Sequence, residues 1–180
     1  MSFKDFYNNE VKKKLIEELK LQNVMEVPKV KKIVVNVGAG EAVSNKEVLE
    51  KIKEQIGLIT SQRPIVTKAR KSVSAFKIRK GLPIGVKVTL RDKRMFSFLE
   101  KLVKIVIPRL RDFKGITENS IDQHGNLSFG FTEQIIFPEI DFDKIDKIRG
   151  LEVTIVTSAR DRNKGKKLFE MLGIPFKKNE

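Results

Sequence analysis

The sequence predicts an α+β domain built on a mainly antiparallel sheet, with helices packed on one face and the other face left open. Three observations predict it. Ile84, Val86, Val88 and Leu90 alternate strictly with Gly85, Lys87, Thr89 and Arg91, the period of a strand with one buried and one polar face. Phe3, Tyr7, Val11, Leu15 and Leu19 recur every fourth residue, the apolar stripe of a helix whose other faces carry lysine and glutamate. Strands and helices are mixed along the chain and joined by hairpin-like connections. With 180 residues and 40% apolar content the chain fills one core, so residues 1–180 are read as a single domain.

The first helix ends before Pro28, which blocks helical continuation. Val30 to Val37 is β-branched enough to be a strand, with Ile33, Val35 and Val37 on one face and Lys32, Val34 and Asn36 on the other. Gly38-Ala39-Gly40 turns the chain, and Ser44 with Glu47 forms a capping-box pattern opening a helix with the stripe Val48, Ile52, Ile56 and Ile59. Strand, glycine turn and helix are the outline of a nucleotide site. The third glycine of the dinucleotide fingerprint and the Gly-Lys-Ser/Thr of the phosphate loop are both missing, so the turn reads as structural, although its free amides remain able to meet a phosphate.

Pro64 to Lys68 reads as a short second strand. The run from about 68 to 82 has neither helical nor strand period and reads as a protruding loop or ribbon ahead of the alternating strand already described. Phe96 to Ile107 is an apolar helix expected to stop at Pro108. Gly115 to Ile148 is irregular, with a turn at His124-Gly125-Asn126, a short strand from Leu127 to Phe131 and an acidic cluster of Asp141, Asp143 and Asp146. Leu151, Val153, Ile155 and Thr157 alternate as a last strand, and Lys166 to Leu172 forms a terminal helix closed by Gly173.

Charge carries the functional signal. The chain has 37 Lys and Arg against 23 Asp and Glu, a net charge of +14. From Gln55 to Arg91 there are nine basic residues (Arg63, Lys68, Arg70, Lys71, Lys77, Arg79, Lys80, Lys87 and Arg91) and no acidic one. A solvated face is ordinarily mixed in sign, as Lys12 to Lys20 is here, so a single-sign run of this length reads as a phosphate-binding surface. On the alternating strand, Lys87 and Arg91 suit phosphates and Thr89 suits a 2′-hydroxyl or base; an ordinary solvated sheet face is the competing reading of that strand taken alone.

Other chemistry has few tools. No cysteine is present, and the single histidine, His124, reads as an exposed turn residue, so no catalytic residue, metal or cofactor is expected. Asp141, Asp143 and Asp146 do not form a calcium loop, because the sixth position is Asp146 where a glycine is required; a patch complementing a basic protein fits them better. No apolar run approaches a spanning helix and the N-terminus lacks a signal-peptide apolar region, which predicts a cytoplasmic protein without a membrane partner. An RNA-processing enzyme would have to use His124 or the Asp141–Asp146 cluster, both outside the basic run. A DNA regulator would need a recognition helix, whereas the cations here concentrate on loop and strand.

The segments LITSQRPIVTKARKSVSAFKIRKGLPIGVKVTLR, IPRLRDFKG and EQIIFPEID, with VPKVKKIVVNVGAGEA from Val27 and MLGIPFKK from Met171, resemble the bacterial family of large-subunit ribosomal protein number five over nearly the whole chain. The resemblance implies a cytoplasmic, non-enzymatic ribosomal component that binds 5S rRNA on an open concave sheet face and helps attach it in the central protuberance. It carries RNA contacts onto Asn36, Gln62, Arg63 and Thr89, beside the cationic Lys32, Lys87 and Arg91 of the same strands. It implies a tRNA-facing loop at Lys68, Arg70, Lys71, Lys77, Arg79 and Lys80, directed at the P site. It further implies an inter-subunit bridge to a small-subunit head protein through Arg109, Arg111, Asp141 and Asp143. 23S rRNA and other large-subunit proteins are the remaining neighbours of a chain that is monomeric within the ribosome. The chain departs from the family's usual pattern at His124, at Thr132 and at Arg160, Arg162 and Lys164, which open the last helix.

Overall fold

Five strands hydrogen-bond in the order β2-β3-β1-β5-β4: β1 Val30–Gly38, β2 Ile65–Lys68, β3 Pro83–Leu90, β4 Leu127–Phe131 and β5 Leu151–Thr157. They are seen in a computed structural model that describes residues 3–43, 45, 47–110, 113–142 and 145–177. The sheet is antiparallel throughout. β2 and β3 pair Ile65 with Lys87, Val66 with Val86 and Thr67 with Gly85. Elsewhere the end of one strand meets the start of its neighbour: Ala39 N–H donates to Ile84 O, Ser158 N–H to Lys29 O, and Thr157 N–H to Asn126 Oδ1.

The α+β expectation is therefore met, and the strand faces fall as alternation demands. Ile33, Val35 and Val37 of β1 are buried, as are Val86, Val88 and Leu90 of β3 and Leu151, Val153, Ile155 and Thr157 of β5. Lys32, Val34 and Asn36 on β1, and Lys87 and Thr89 on β3, are half-buried on the opposite side.

The first helix is not a plain α-helix. α1 Phe3–Phe6 and α2 Lys12–Glu18 are joined by a π-helical turn, Tyr7–Val11. A four-residue step overshoots a 3.6-residue turn by roughly 40°, so a strict four-residue repeat would drift off the core in an ideal α-helix. The wider turn takes up that drift and keeps Phe3, Tyr7, Val11 and Leu15 all buried.

α3 Glu47–Thr60 buries Val48, Ile52, Ile56 and Ile59 as expected. Ser44 of the expected capping box lies outside the described residues; Asn45 Oδ1 accepts the Glu47 N–H at the helix start. α4 Asp92–Lys101 begins four residues before the expected Phe96. It continues through a second π turn, Leu102–Val106, into α5 Ile107–Arg109, so the helical run passes Pro108 instead of stopping there. Proline stands in the first turn after the π segment, where the Ile107 N–H reaches back to Leu102 O and no N–H is asked of Pro108. α6 Arg162–Met171 likewise starts before the expected Lys166, with the Asp161 carboxylate accepting the Lys164 N–H as N-cap. Gly173 ends it at φ +86.

The chain forms two compact units, residues 1–33, 91–129 and 154–180 in one and residues 34–90 and 130–153 in the other. In the first, Leu15, Leu99, Leu102, Leu127, Ile155, Leu168 and Phe169 are fully buried. There Tyr7 donates its hydroxyl to Pro28 O at 3.0 Å, and burial pushes its pKa up to about 12. In the second, Val35, Ile52, Ile59, Val88, Leu90, Phe137 and Val153 fill the interior.

Candidate nucleic-acid interface

The sequence-predicted site residues of the second unit gather on two adjoining features, the open face of β1, β2 and β3 and the hairpin between β2 and β3. The β2–β3 register turns Val66 and Val86 toward the core and leaves Ile65, Thr67 and Lys87 on the other side, in the same period as Asn36 and Thr89. Ile65 is 58% exposed there. Gly85 leaves no room for a side chain between the strands: a Cβ at that position would lie 2.8 Å from Val37 O and 2.9 Å from Thr67 Oγ1. Thr67 is a hydroxyl of this face that sequence reasoning missed, although its alternation with Ile65 was visible.

Gln62 is tied into the scaffold. Its Nε2 donates to Thr89 O at 2.9 Å, fastening the entry of β2 to the end of β3, and Thr60 Oγ1 donates to Ile56 O at 2.6 Å to hold the end of α3. The Gln62 side chain thus orients the face as well as bordering it. Arg63 is exposed beside an open groove of about 410 Å³ lined by Lys51, Lys53, Gly57 and Pro64, with Glu50 and Glu54 as its acidic side. Lys32 and Arg91 fall in the first unit, Lys32 half-buried on β1 and Arg91 exposed as the N-cap of α4.

The basic run is a ribbon, one of the two forms its lack of period left open. Ala69 N–H donates to Leu82 O and Gly81 N–H to Ala69 O, and Val73 and Ile78 exchange both backbone hydrogen bonds at 2.9 and 3.1 Å. A 3₁₀ turn, Ser74–Phe76, closes the tip, and Lys77 takes φ +54 to reverse the chain. Ser72 Oγ accepts the Lys80 N–H. Lys68, Arg70, Lys71, Lys77, Arg79 and Lys80 are all exposed along it. The ladder predicts slow amide exchange at Ala69, Val73, Ile78 and Gly81 in the free protein, measured by hydrogen–deuterium exchange; exchange at unstructured rates at all four would show that the ribbon is not ordered in the free protein.

The region read as a bridge is only partly described. Arg109 is exposed at the end of α5, Asp141 is exposed, and Arg111 and Asp143 lie outside the described residues. Asp146 is engaged within the fold. Arg149 grips its carboxylate in two hydrogen bonds at 2.8 and 3.0 Å, Lys51 stands 3.8 Å away, and Glu41 bonds Lys147 at 2.8 Å. The buried Gln134 amide holds the same segment, donating to Lys147 O and accepting the Arg149 N–H. Among the described residues no group of three or more carboxylates and histidines is placed to hold a metal. His124 is exposed in its turn, where its N–H donates to Asp122 Oδ1.

Arg149 brings the Asp146 pKa down to about 2 through its hydrogen bonds, against the opposing effect of partial burial and with help from the charges of Arg149 and Lys51. A depressed carboxylate stabilises the fold above its unfolded value, near 3.8, and loses that contribution as pH falls toward 2. Asp146→Asn should therefore remove a stability increment on the order of 1 kcal/mol, after solvent screening, that is fully present at pH 7 and mostly lost by pH 2. Thermal melts of both proteins across pH 2–7 check it; parallel curves would mean the pair contributes nothing.

A model described as ribosomal protein L5 matches residues 23–79, and a second, describing the C-terminus of the same ribosomal protein family, matches residues 83–176. The chain belongs to the ribosomal protein L5 family. It is 52% identical over 172 residues to the large ribosomal subunit protein uL5 of Caldanaerobacter subterraneus, covering 96% of each chain. To the protein of that name from Roseiflexus it is 51% identical over 174 residues, 97% of each. To that from Synechococcus it is 51% identical over 179 residues, 99% of this chain and 100% of the relative. As a member of this family the chain is a component of the large ribosomal subunit, found with the ribosome in the cytoplasm, and not an enzyme. No helix among the described residues is long and apolar enough to cross a membrane.

Proposed function

We propose that this L5-family chain binds 5S rRNA with the open face around Asn36, Gln62, Arg63, Lys87 and Thr89, helping to attach that RNA in the central protuberance, and that its basic hairpin faces P-site tRNA. Lys32 and Arg91 are further phosphate contacts in this reading. One observation supports it most: a sheet face of hydrogen-bonding side chains adjoins a ribbon bearing six exposed cations, with no acidic residue from Gln55 to Arg91. Cations draw in phosphates of any sequence, whereas hydroxyls and amides on a firm sheet select the shape and the 2′-hydroxyls of RNA.

Arg109, Arg111, Asp141 and Asp143 are proposed to meet a small-subunit head protein at an inter-subunit bridge, with 23S rRNA and other large-subunit proteins as neighbours. The whole chain works as one ribosomal module, a monomer among these partners.

The test is binding to 5S rRNA, a tRNA and a random RNA duplex at moderate salt. Wild type prefers 5S rRNA. Thr89→Ala weakens 5S rRNA binding roughly 2- to 10-fold, the worth of one hydrogen bond, and leaves tRNA binding alone. A Lys77→Ala/Arg79→Ala/Lys80→Ala protein leaves 5S rRNA binding nearly intact but lowers the log-log salt slope on tRNA by about 2. If all three RNAs bind alike and only the triple variant matters, the protein is a nonspecific polyanion binder and the reading fails.

A further inference from the structure

Phe76 is 72% exposed at the tip of the basic hairpin, the single aromatic residue between Gln55 and Arg91. Hydration disfavours an aromatic ring in that position. The ring stands on a fixed platform: the 3₁₀ turn Ser74–Phe76, the two-way Val73–Ile78 backbone bridge beneath it and the left-handed Lys77 after it. Val73, 41% exposed, adds apolar surface at the base of the tip. The charged residues of the hairpin are all cationic, and Lys71, Lys77, Arg79 and Lys80 are exposed along it.

An exposed aromatic ring among cations is well matched to an unpaired base, whose own phosphates the cations neutralise while its face covers the ring. Within a paired duplex each base is covered by its neighbours, so no such face is free away from the ends. We infer that Phe76 is a stacking platform for an unstacked RNA base, so that the hairpin distinguishes looped RNA from duplex. This rests on the reading of the hairpin as RNA-facing and gives it a selectivity that its lysines and arginines cannot supply.

The chain contains no tryptophan, so Phe76→Trp introduces a sole reporter at the tip. In the full-length protein, tryptophan emission is expected to be quenched by a folded tRNA and unchanged by a blunt RNA duplex of similar length. Phe76→Ala is expected to weaken tRNA binding roughly 10-fold, within the range of one lost base stack, while leaving duplex binding and the salt slope on tRNA unchanged. Phe76 is exposed, so these variants fold. Equal losses on tRNA and duplex, a changed salt slope, or emission indifferent to tRNA would overturn the stacking role. If the Lys77/Arg79/Lys80 triple variant lowers the slope on tRNA and Phe76→Ala does nothing, the hairpin faces RNA by charge alone; if neither variant matters, the RNA-facing reading of the hairpin falls as well.

Discussion

Gly125→Ala is expected to destabilise the protein by about 2–4 kcal/mol, combining the strain of a left-handed residue with overpacking. Gly125 has φ +77, and a Cβ there would lie 2.6 Å from Asp161 O and 2.8 Å from Ala159 Cβ. Its neighbour across the gap is Gly165 of α6, whose own Cβ would lie 2.5 Å from Gly125 Cα and 2.7 Å from its carbonyl oxygen. Two backbones touch here because neither carries a side chain.

The Gly125 turn is held in place by side chains. Thr157 Oγ1 donates to Gly125 O at 2.7 Å, and Asp122 accepts from Asn126 N–H and Nδ2. Hydrogen bonds from Asn126 and His124 keep the Asp122 pKa low despite the burial that raises it. Gly165→Ala should cost less, about 1–3 kcal/mol, because alanine recovers up to about 1 kcal/mol of helix propensity. The double variant should fall short of the sum, since the separation forced by one side chain already makes room for the other. Urea melts measure all three; a Gly125→Ala protein within about 0.5 kcal/mol of wild type would show that the turn moves aside freely.

Contacts of this kind mark where the sequence stopped being legible. The strands of β1, β3 and β5 were readable because a two-residue period is local and their polar face is local too. The family, and through it the residues proposed to touch RNA, was readable from motifs lying within the same stretches. What escaped depends on residues distant in sequence or on turns of unusual width. The strict fourfold repeat from Phe3 held the clue to a π turn, since an ideal α-helix cannot keep that spacing on one face, and the run through Pro108 rests on a second such turn. Asp146 and Arg149, three apart, were spaced to pair, yet the acidic cluster was read by its sum and not by its neighbours. Gly125 with Gly165, and Gln62 with Thr89, are separations of 40 and 27 residues that no local pattern encodes.

Gly85→Val is the variant in which fold and proposed function fail together. Gly85 sits in β3 between β2 and β1, where any side chain meets Val37 O at 2.8 Å and Thr67 Oγ1 at 2.9 Å. The hydroxyl can rotate away, but the carbonyl belongs to the β1 backbone and yields only if the strands part. We expect a loss of about 2–3 kcal/mol or more, and at least a 10-fold loss of 5S rRNA binding by the fraction still folded, because Lys87 and Thr89 move with β3. Thr67→Ala separates the two contacts. If the carbonyl governs, Thr67→Ala does not rescue Gly85→Val in either stability or binding. If the double variant returns to the level of Thr67→Ala alone, the hydroxyl was the obstacle and β1 and β3 have room to spare. A folded Gly85→Val protein that binds 5S rRNA as wild type does would mean the RNA is not read on this face.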